Sequence, residues 1–287
     1  MGSKALKHRT LTPSGFGWEL ESYDPASVVD AFRESGGLIL IRGQSHLTPR
    51  ELAGFAALFG ELEKNEKYDP DFLLPSRPEI LRIGNLRENG RYRSLFTRAD
   101  PPPLLWHCDD SFRKPQPLGS CMLCVETPPE GGETGFAGMA AAYDALPADT
   151  KKRIDGLTTT HSYHYLDEYL RRANPHRPPL SDELRVQHPP VERPLVARHP
   201  ETGLKSLYIP KCHIESVDGL SPHDGETLLT ELLDHATGPD FALMHRWSPG
   251  DLVVWDNRCT LHAPTPFDDA KYDRLLYRLT MSGEQIV

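Results

Sequence analysis

His107 and Asp109 stand two residues apart in Trp106-His107-Cys108-Asp109, and a second histidine, His262, closes the run Trp255-Asp256-Asn257-Arg258-Cys259-Thr260-Leu261-His262. Two neutral imidazole nitrogens and one carboxylate oxygen on one side of a metal ion leave the other side open. An ion held that way can chelate a bidentate acid and bind dioxygen. In extended chain, residues 107 and 109 share a side and Cys108 points away. Trp106 and Phe112 would then wall the charges off from water. Arg274 and Arg278 follow on one short segment. Four residues apart, they share a face of a strand, and burying two guanidinium groups among Leu275, Leu276 and Leu279 calls for anionic partners.

Spacing alone leaves other readings open. A His-x-Asp pair is expected about once by chance among this many histidines, and the pair could be a surface histidine beside a solvated acid. His213-Ile214-Glu215 repeats the spacing, and His161 or His164 could supply a ligand from a strand edge expected over Thr159–Tyr165. The two arginines could equally be an exposed pair. Cys121-x-x-Cys124 invites a zinc or redox reading, but no second Cys or His pair sits at zinc-site spacing. Its place in an apolar stretch predicts plain buried thiols.

The chain has 287 residues and a net charge of −9. That balance argues against general nucleic-acid binding, which needs a basic footprint. No apolar run approaches the length of a membrane span, and the start, Met-Gly-Ser-Lys, lacks the apolar stretch of a secretory signal. The expectation is a cytoplasmic protein with no nucleic-acid or membrane partner. Five cysteines, an odd number, suit reduced thiols.

The elements that must position the candidate residues are short. A helix is expected over Ser27–Glu34, a strand covered on both faces over Gly37–Ile41, and a helix opened by the capping box Thr48-Pro49-Arg50-Glu51. Glu63 to Leu105 reads as loops around a strand at Glu79–Ile83. Beyond residue 106, strands are expected at Leu118–Glu126, Leu157–His161, Lys205–Ile209, Phe241–Trp247, Asp251–Trp255 and Leu275–Met281, with helices at Met139–Leu146 and Pro222–His235. Many short strands separated by Gly/Pro turns predict a sandwich or jelly roll. Tyr163 to Pro194 shows no clear periodicity and is expected to be a lid or a structureless insert within one domain spanning 1–287.

At this point the chain resembles the iron(II)/2-oxoglutarate-dependent taurine dioxygenase and 2,4-dichlorophenoxyacetate dioxygenase family, more closely its phenoxyacetate branch. The resemblance runs from about residue 14 to 283. It rests on Leu105-Trp106-His107-Cys108-Asp109-Asp110-Ser111-Phe112, Pro128-Pro129-Glu130-Gly131-Gly132-Glu133-Thr134, Ala140-Ala141-Ala142-Tyr143-Asp144-Ala145-Leu146-Pro147, and Gly250 through His262 with Arg274 and Arg278. It implies a mainly β fold with flanking helices, a double-stranded β-helix (jelly roll). It implies Fe(II) held by His107, Asp109 and His262, with 2-oxoglutarate and O2 as cosubstrates. Arg274 and Thr134 would hold the C5 carboxylate of 2-oxoglutarate, and Arg278 would face an acidic group of a small anionic substrate. Asn65, Lys67 and Tyr68 fall in the family's second substrate region, and Arg91 falls where the phenoxyacetate branch carries a basic residue; Tyr68, Lys67 and Arg91 would contact the substrate. Asn65 replaces a taurine-type histidine, and Pro103 a substrate asparagine, which argues against taurine itself.

The activity implied is oxidation of a substrate C–H, by default hydroxylation, with release of succinate and CO2. A biosynthetic relative carrying out desaturation, cyclisation or decarboxylation on an amino-acid- or fatty-acid-derived substrate is the alternative. A jelly-roll binding protein without catalysis is the other class, disfavoured by the intact triad. Family members often form dimers or tetramers, so a homo-oligomer is expected.

Overall fold

Leu38, Ile39, Leu40 and Ile41 are all almost fully buried, because both faces of their strand are covered. Leu38 and Leu40 join Phe136, Val253, Trp255 and Leu276 in one cluster, while Ile39 and Ile41 join Phe32, Leu52, Phe55 and Val254 in another. This period-two division marks the central layer of the molecule. The computed structural model describes residues 6–65, 68–88, 91–92, 104–173 and 179–286.

The layer is a major sheet in the order His8–Thr10, Trp18–Leu20, Leu38–Ile41, Leu252–Asp256, Gly119–Glu126, Leu275–Ser282, Arg77–Gly84, Leu73–Leu74. Pairing is antiparallel except between Trp18–Leu20 and Leu38–Ile41. Its outer face is covered by the helices Val28–Glu34 and Pro49–Ala56. In the second of these, Thr48 and Glu51 form the expected reciprocal capping box. Opposite the inner face lies a minor sheet, with Thr134–Gly138 flanked by Ala242–His245 and Thr260–Pro264. Phe136 reaches from it to Trp255, with ring centroids 5.6 Å apart. Ala137, Leu261 and Ala263 point the other way, onto Leu228, Leu229 and Leu232 of the helix Pro222–Ala236. The two facing, mainly antiparallel sheets form the expected double-stranded β-helix.

A third sheet orders Val191–Pro194, Thr158–His161 and Ile214–Val217. It corrects two expectations. The strand over Thr159–Tyr165 ends at His161, and a helix runs over Tyr163–Ala173, with the Tyr165 amide donating to Ser162 Oγ at 3.1 Å. The segment read as a structureless insert therefore holds that helix, a second at Asp182–Gln187 capped by Ser181, and a strand paired with Thr158–His161. Asp167, buried on the first helix, ties it to the next segment by accepting from the Leu180 amide. Tyr163, Leu166 and Leu170 carry the helical spacing, but the charged residues between them mask it. The strands Thr134–Gly138 and Thr260–Pro264 and the helix Ala148–Ile154 were not expected. Among the described residues, no helix is long and apolar enough to cross a membrane.

Candidate active site

His262 lies on Thr260–Pro264, on the inner face with Phe136, its ring centroid 4.9 Å from that of Trp255. His107 adds itself to the edge of that strand through one antiparallel bridge. The His107 amide donates to the His262 carbonyl at 2.9 Å, and the His262 amide donates back at 2.7 Å. Directly opposed residues put their side chains on one face, and the two ring centroids are 4.2 Å apart. His107 Nδ1 is 2.8 Å from the Leu105 carbonyl oxygen. Since a carbonyl only accepts, Nδ1 is the donor, and in the neutral ring that tautomer leaves the lone pair on Nε2.

Asp109 returns to the same side two residues on. Its amide donates to Asn257 Oδ1 at 3.1 Å, and the same oxygen accepts from Trp255 Nε1 at 3.2 Å. Asp110 then turns the chain with φ +49°, a conformation that aspartate tolerates better than most residues. Asp109 Oδ1 is 3.7 Å from His262 Nε2, and the ligand atoms of His107, Asp109 and His262 all lie within 4.8 Å of one another. The other carboxylate oxygen meets Arg278 at 2.9 Å and accepts from Ser120 Oγ at 3.2 Å, while Arg278 Nε donates to Ser120 at 3.1 Å.

Burial opposes charge on Asp109, but Arg278, His262, His107 and Ser120 outweigh it and hold the carboxyl well below the usual range. Burial, reinforced by His107, keeps the pKa of His262 well below the ordinary histidine value. The set thus offers two imidazoles and an ionised carboxylate, converging on one side without hydrogen-bonding one another. A divalent cation fits between them.

Arg274 sits just before the Leu275–Ser282 strand, and a bulge at Leu275/Leu276 separates it from Arg278. The two arginines therefore do not simply share the face of one regular strand. Leu276 joins the core between the sheets, and Arg278 faces Asp109. Arg274 is buried, and its Nε makes no hydrogen bond among the described residues. Burial lowers its pKa to about 10. A buried guanidinium without a counter-ion is costly, and an incoming carboxylate would relieve that cost.

Its position is fixed from the backbone. Asn85 Oδ1 accepts from the Arg274 amide at 2.8 Å, Asn85 Nδ2 donates to the carbonyls of Asp269 and Tyr272, and the Asn85 amide donates to the Arg274 carbonyl. Gly132, at φ +71°, passes so close that a Cβ there would lie 3.4 Å from Arg274 Nε. Two residues further, Thr134 Oγ1 accepts from Trp247 Nε1 at 3.0 Å, and a hydroxyl that accepts one bond can still donate its own proton to another acceptor.

The remaining substrate candidates are placed unevenly. Burial disfavours charge on Arg278, yet Asp109, Tyr68, Asp110 and Glu63 together raise its pKa. Lys67 and Pro103 lie outside the described residues. Of Arg91 only the backbone is described, in the Arg91–Tyr92 strand paired with Arg87–Glu88. Asn65 is spent on the carbonyls of Pro78 and Glu79.

The rival ligands resolve as structural groups. Glu215 is exposed, while His213 bonds Ser111 at 2.8 Å and His161 bonds both Ser111 and Thr159. His164, half-buried, has its Nε2 3.3 Å from Glu168 one turn along its helix. Cys121 and Cys124 fall into different core clusters, and burial raises both thiols, Cys124 to about 12.

His199, Asp256 and Cys259 also come within ligand distance of one another. There, however, Asp256 is occupied by Arg258 at 2.7 and 2.9 Å and by His199 Nε2 at 3.1 Å, and His199 Nδ1 accepts from the amides of Glu201 and Thr202. That cluster is a closed ion-pair network. Ser120, Asn257, Asn85 and Trp247 were the residues sequence reasoning missed. Only Asn257 left a trace, in Trp255-Asp256-Asn257.

The chain matches the family described as "Taurine catabolism dioxygenase TauD, TfdA family" over residues 7–280. It is similar to an (S)-phenoxypropionate/alpha-ketoglutarate-dioxygenase of Sphingobium herbicidovorans, 36% identical over 86% of this chain and 82% of that protein. It is also 36% identical to an alpha-ketoglutarate-dependent 2,4-dichlorophenoxyacetate dioxygenase of Cupriavidus pinatubonensis, over 90% of this chain and 89% of the relative. Among solved structures, that of AAD-2 in complex with Mn(II) and N-oxalylglycine is similar at TM-score 0.80 and 29% identity, covering 99% of both chains.

Proposed function

The chain belongs to the TauD, TfdA dioxygenase family, and on that premise we propose that this alpha-ketoglutarate-dependent enzyme oxidises a C–H bond of a small carboxylate, by default hydroxylating it. The family places a metal, iron(II), at the His-Asp-His site and makes 2-oxoglutarate the cosubstrate. When bound, the iron supplies the oxidising chemistry, with succinate and CO2 released; the protein fixes which C–H is near.

His107, Asp109 and His262 would hold the metal. Arg274 and Thr134 would take the distal carboxylate of 2-oxoglutarate, Arg274 in a charge-assisted contact. Arg278 would share its guanidinium between Asp109 and the substrate's acid group, with Tyr68, Lys67 and Arg91 as further substrate contacts. Trp255 packs against His262 and Phe112 against His213, shielding the site from water. Trp106, expected to do the same, instead packs on the opposite face of the minor sheet with Ala137, Leu261 and Ala263.

The observation that carries this reading is the conjunction of a converging His-Asp-His set with a buried Arg274 whose Nε makes no hydrogen bond among the described residues. The relatives named for phenoxypropionate and 2,4-dichlorophenoxyacetate support a carboxylate substrate. The test is a succinate-release screen with iron(II), 2-oxoglutarate and a panel of aryloxyalkanoates, sulfonates, and amino-acid- and fatty-acid-derived acids. A carboxylate should raise succinate release above the substrate-free rate. Stimulation by sulfonates alone would contradict the substrate assignment.

A further inference from the structure

Four buried polar side chains run in line beside the metal ligands. His213 is 3% exposed, and Ser111, His161 and Thr159 are fully buried. Ser111 Oγ lies 2.8 Å from His213 Nδ1 and 2.8 Å from His161 Nδ1. His161 Nε2 is 2.9 Å from Thr159 Oγ1, which is 3.3 Å from the carbonyl oxygen of Arg193. At the other end, the His213 ring lies 6.1 Å from that of His107 and 5.1 Å from that of Phe112. Among the described residues its Nε2 makes no hydrogen bond.

The direction of this chain follows from counting protons. The Arg193 carbonyl can only accept. If Thr159 donates to it, Thr159 must accept from His161 Nε2–H. His161 Nδ1 is then bare and accepts from Ser111, whose oxygen accepts from His213 Nδ1–H. With both rings neutral, four protons make four hydrogen bonds. The reverse direction makes three, leaves the Thr159–Arg193 contact unmade, and puts the His213 proton on Nε2, outside the chain. Unmade hydrogen bonds between buried groups are costly, and linked ones reinforce each other. The complete arrangement is therefore the stable one.

We infer that Ser111 and His161 are positioning residues that lock His213 as its Nδ1–H tautomer, so that it presents an unprotonated Nε2 to the space beside His107. The inference rests on the reading above only in taking that space as the substrate's. An unprotonated nitrogen repels a carboxylate, so the anionic end of the substrate belongs at Arg278. The part that faces His213 is a hydrogen-bond donor: a hydroxyl, an amine, or a water bridging to an acceptor such as an ether oxygen.

The test reads the rings directly. The full chain, labelled with 15N-histidine and loaded with diamagnetic zinc(II) and 2-oxoglutarate, is examined by long-range 1H–15N correlation, with His213 assigned through His213→Gln. His213 is expected to be protonated on Nδ1 and His161 on Nε2. In Ser111→Ala the His213 signals should shift toward the Nε2–H form or a mixture, and Ser111→Thr should restore them. An Nε2-protonated His213 in the unaltered chain, or an unmoved tautomer in Ser111→Ala, would overturn the inference. Failure of zinc or 2-oxoglutarate to bind would instead count against the proposed function, and the metal-free chain would still report the tautomer.

Discussion

Arg278 holds one oxygen of Asp109 at 2.9 Å, leaving the other oxygen for the side on which His107 and His262 converge. The carboxylate is thus pinned by a cation and a serine before any metal arrives, which preorganises the ligand set. It also stays ionised despite burial. Replacing Asp109 by Ala removes one of the three proposed ligands and the carboxylate that pairs with Arg278. Metal affinity, followed by equilibrium titration, should fall by at least about 100-fold, more than the loss typical for a supporting residue. An unchanged affinity would remove Asp109 from the ligand set.

Arg274 gives the opposite balance of stability and binding. Its guanidinium is buried, with no partner for Nε among the described residues, so Arg274→Met should leave the metal-free, cosubstrate-free protein as stable as before or more so. The same change should weaken 2-oxoglutarate by about 1.5–3 kcal/mol, the worth of hydrogen bonds to a charged group, or roughly 10- to 150-fold in Kd. Calorimetric titration and thermal melts with and without 2-oxoglutarate read both effects, and the cosubstrate should raise the Tm of the unaltered chain far more.

Asn85 holds the backbone of residues 269–274 through its side chain and amide. Asn85→Ala leaves the buried Arg274 amide and two carbonyls short of partners, at a cost of about 1–3 kcal/mol per unsatisfied group. Urea unfolding should show that loss, and weaker 2-oxoglutarate binding should accompany it. Intact metal affinity in the same variant would separate this clamp from the ligand set.

Acid should destabilise the fold before the carboxylates titrate. Burial holds His213 down to about 3, and His161 and His262 well below their ordinary 6.5. The folded chain keeps these rings neutral, whereas the unfolded chain protonates them below about 6.5. Stability is therefore full above that pH and falls as pH drops through it, with a slope approaching about 1.4 kcal/mol per pH unit for each such histidine. Asp109, whose folded pKa is depressed, adds to the loss once the pH falls below the ordinary carboxylate value. Urea midpoints at pH 7, 6 and 5 should decline steadily, and the decline should be shallower in His161→Asn/His213→Asn. A flat profile would contradict the buried-neutral assignment.

The legible part of the fold lay where one physical rule dominated. Leu38–Ile41 and Leu252–Asp256 are apolar on both faces and read as strands because both faces are covered. Thr48 and Glu51 announced their helix through local hydrogen bonds. Thr134–Gly138, with two glycines, carries little strand signal. It is a strand because Phe136 and its neighbours pair with His262 and Leu243 far along the chain. The helix Tyr163–Ala173 hid because its buried face includes Asp167, a charged residue satisfied by the Leu180 amide.

At the site, the expected metal ligands converge because His107 bridges His262, a tertiary contact that residue spacing could only suggest. The spacing of four between Arg274 and Arg278 read as a shared strand face; the bulge between them, invisible in the sequence, separates their roles. His213, weighed as a rival ligand, instead belongs to a hydrogen-bonded line that no sequence spacing reveals.

The most direct test of the central claim is an anaerobic titration of the chain with iron(II) and 2-oxoglutarate, following visible absorbance. A saturable band from the chelated cosubstrate is expected in the unaltered chain, absent in Asp109→Ala, and requiring much more 2-oxoglutarate in Arg274→Met. A chain that gives no band, or one that Asp109→Ala leaves intact, would contradict the account.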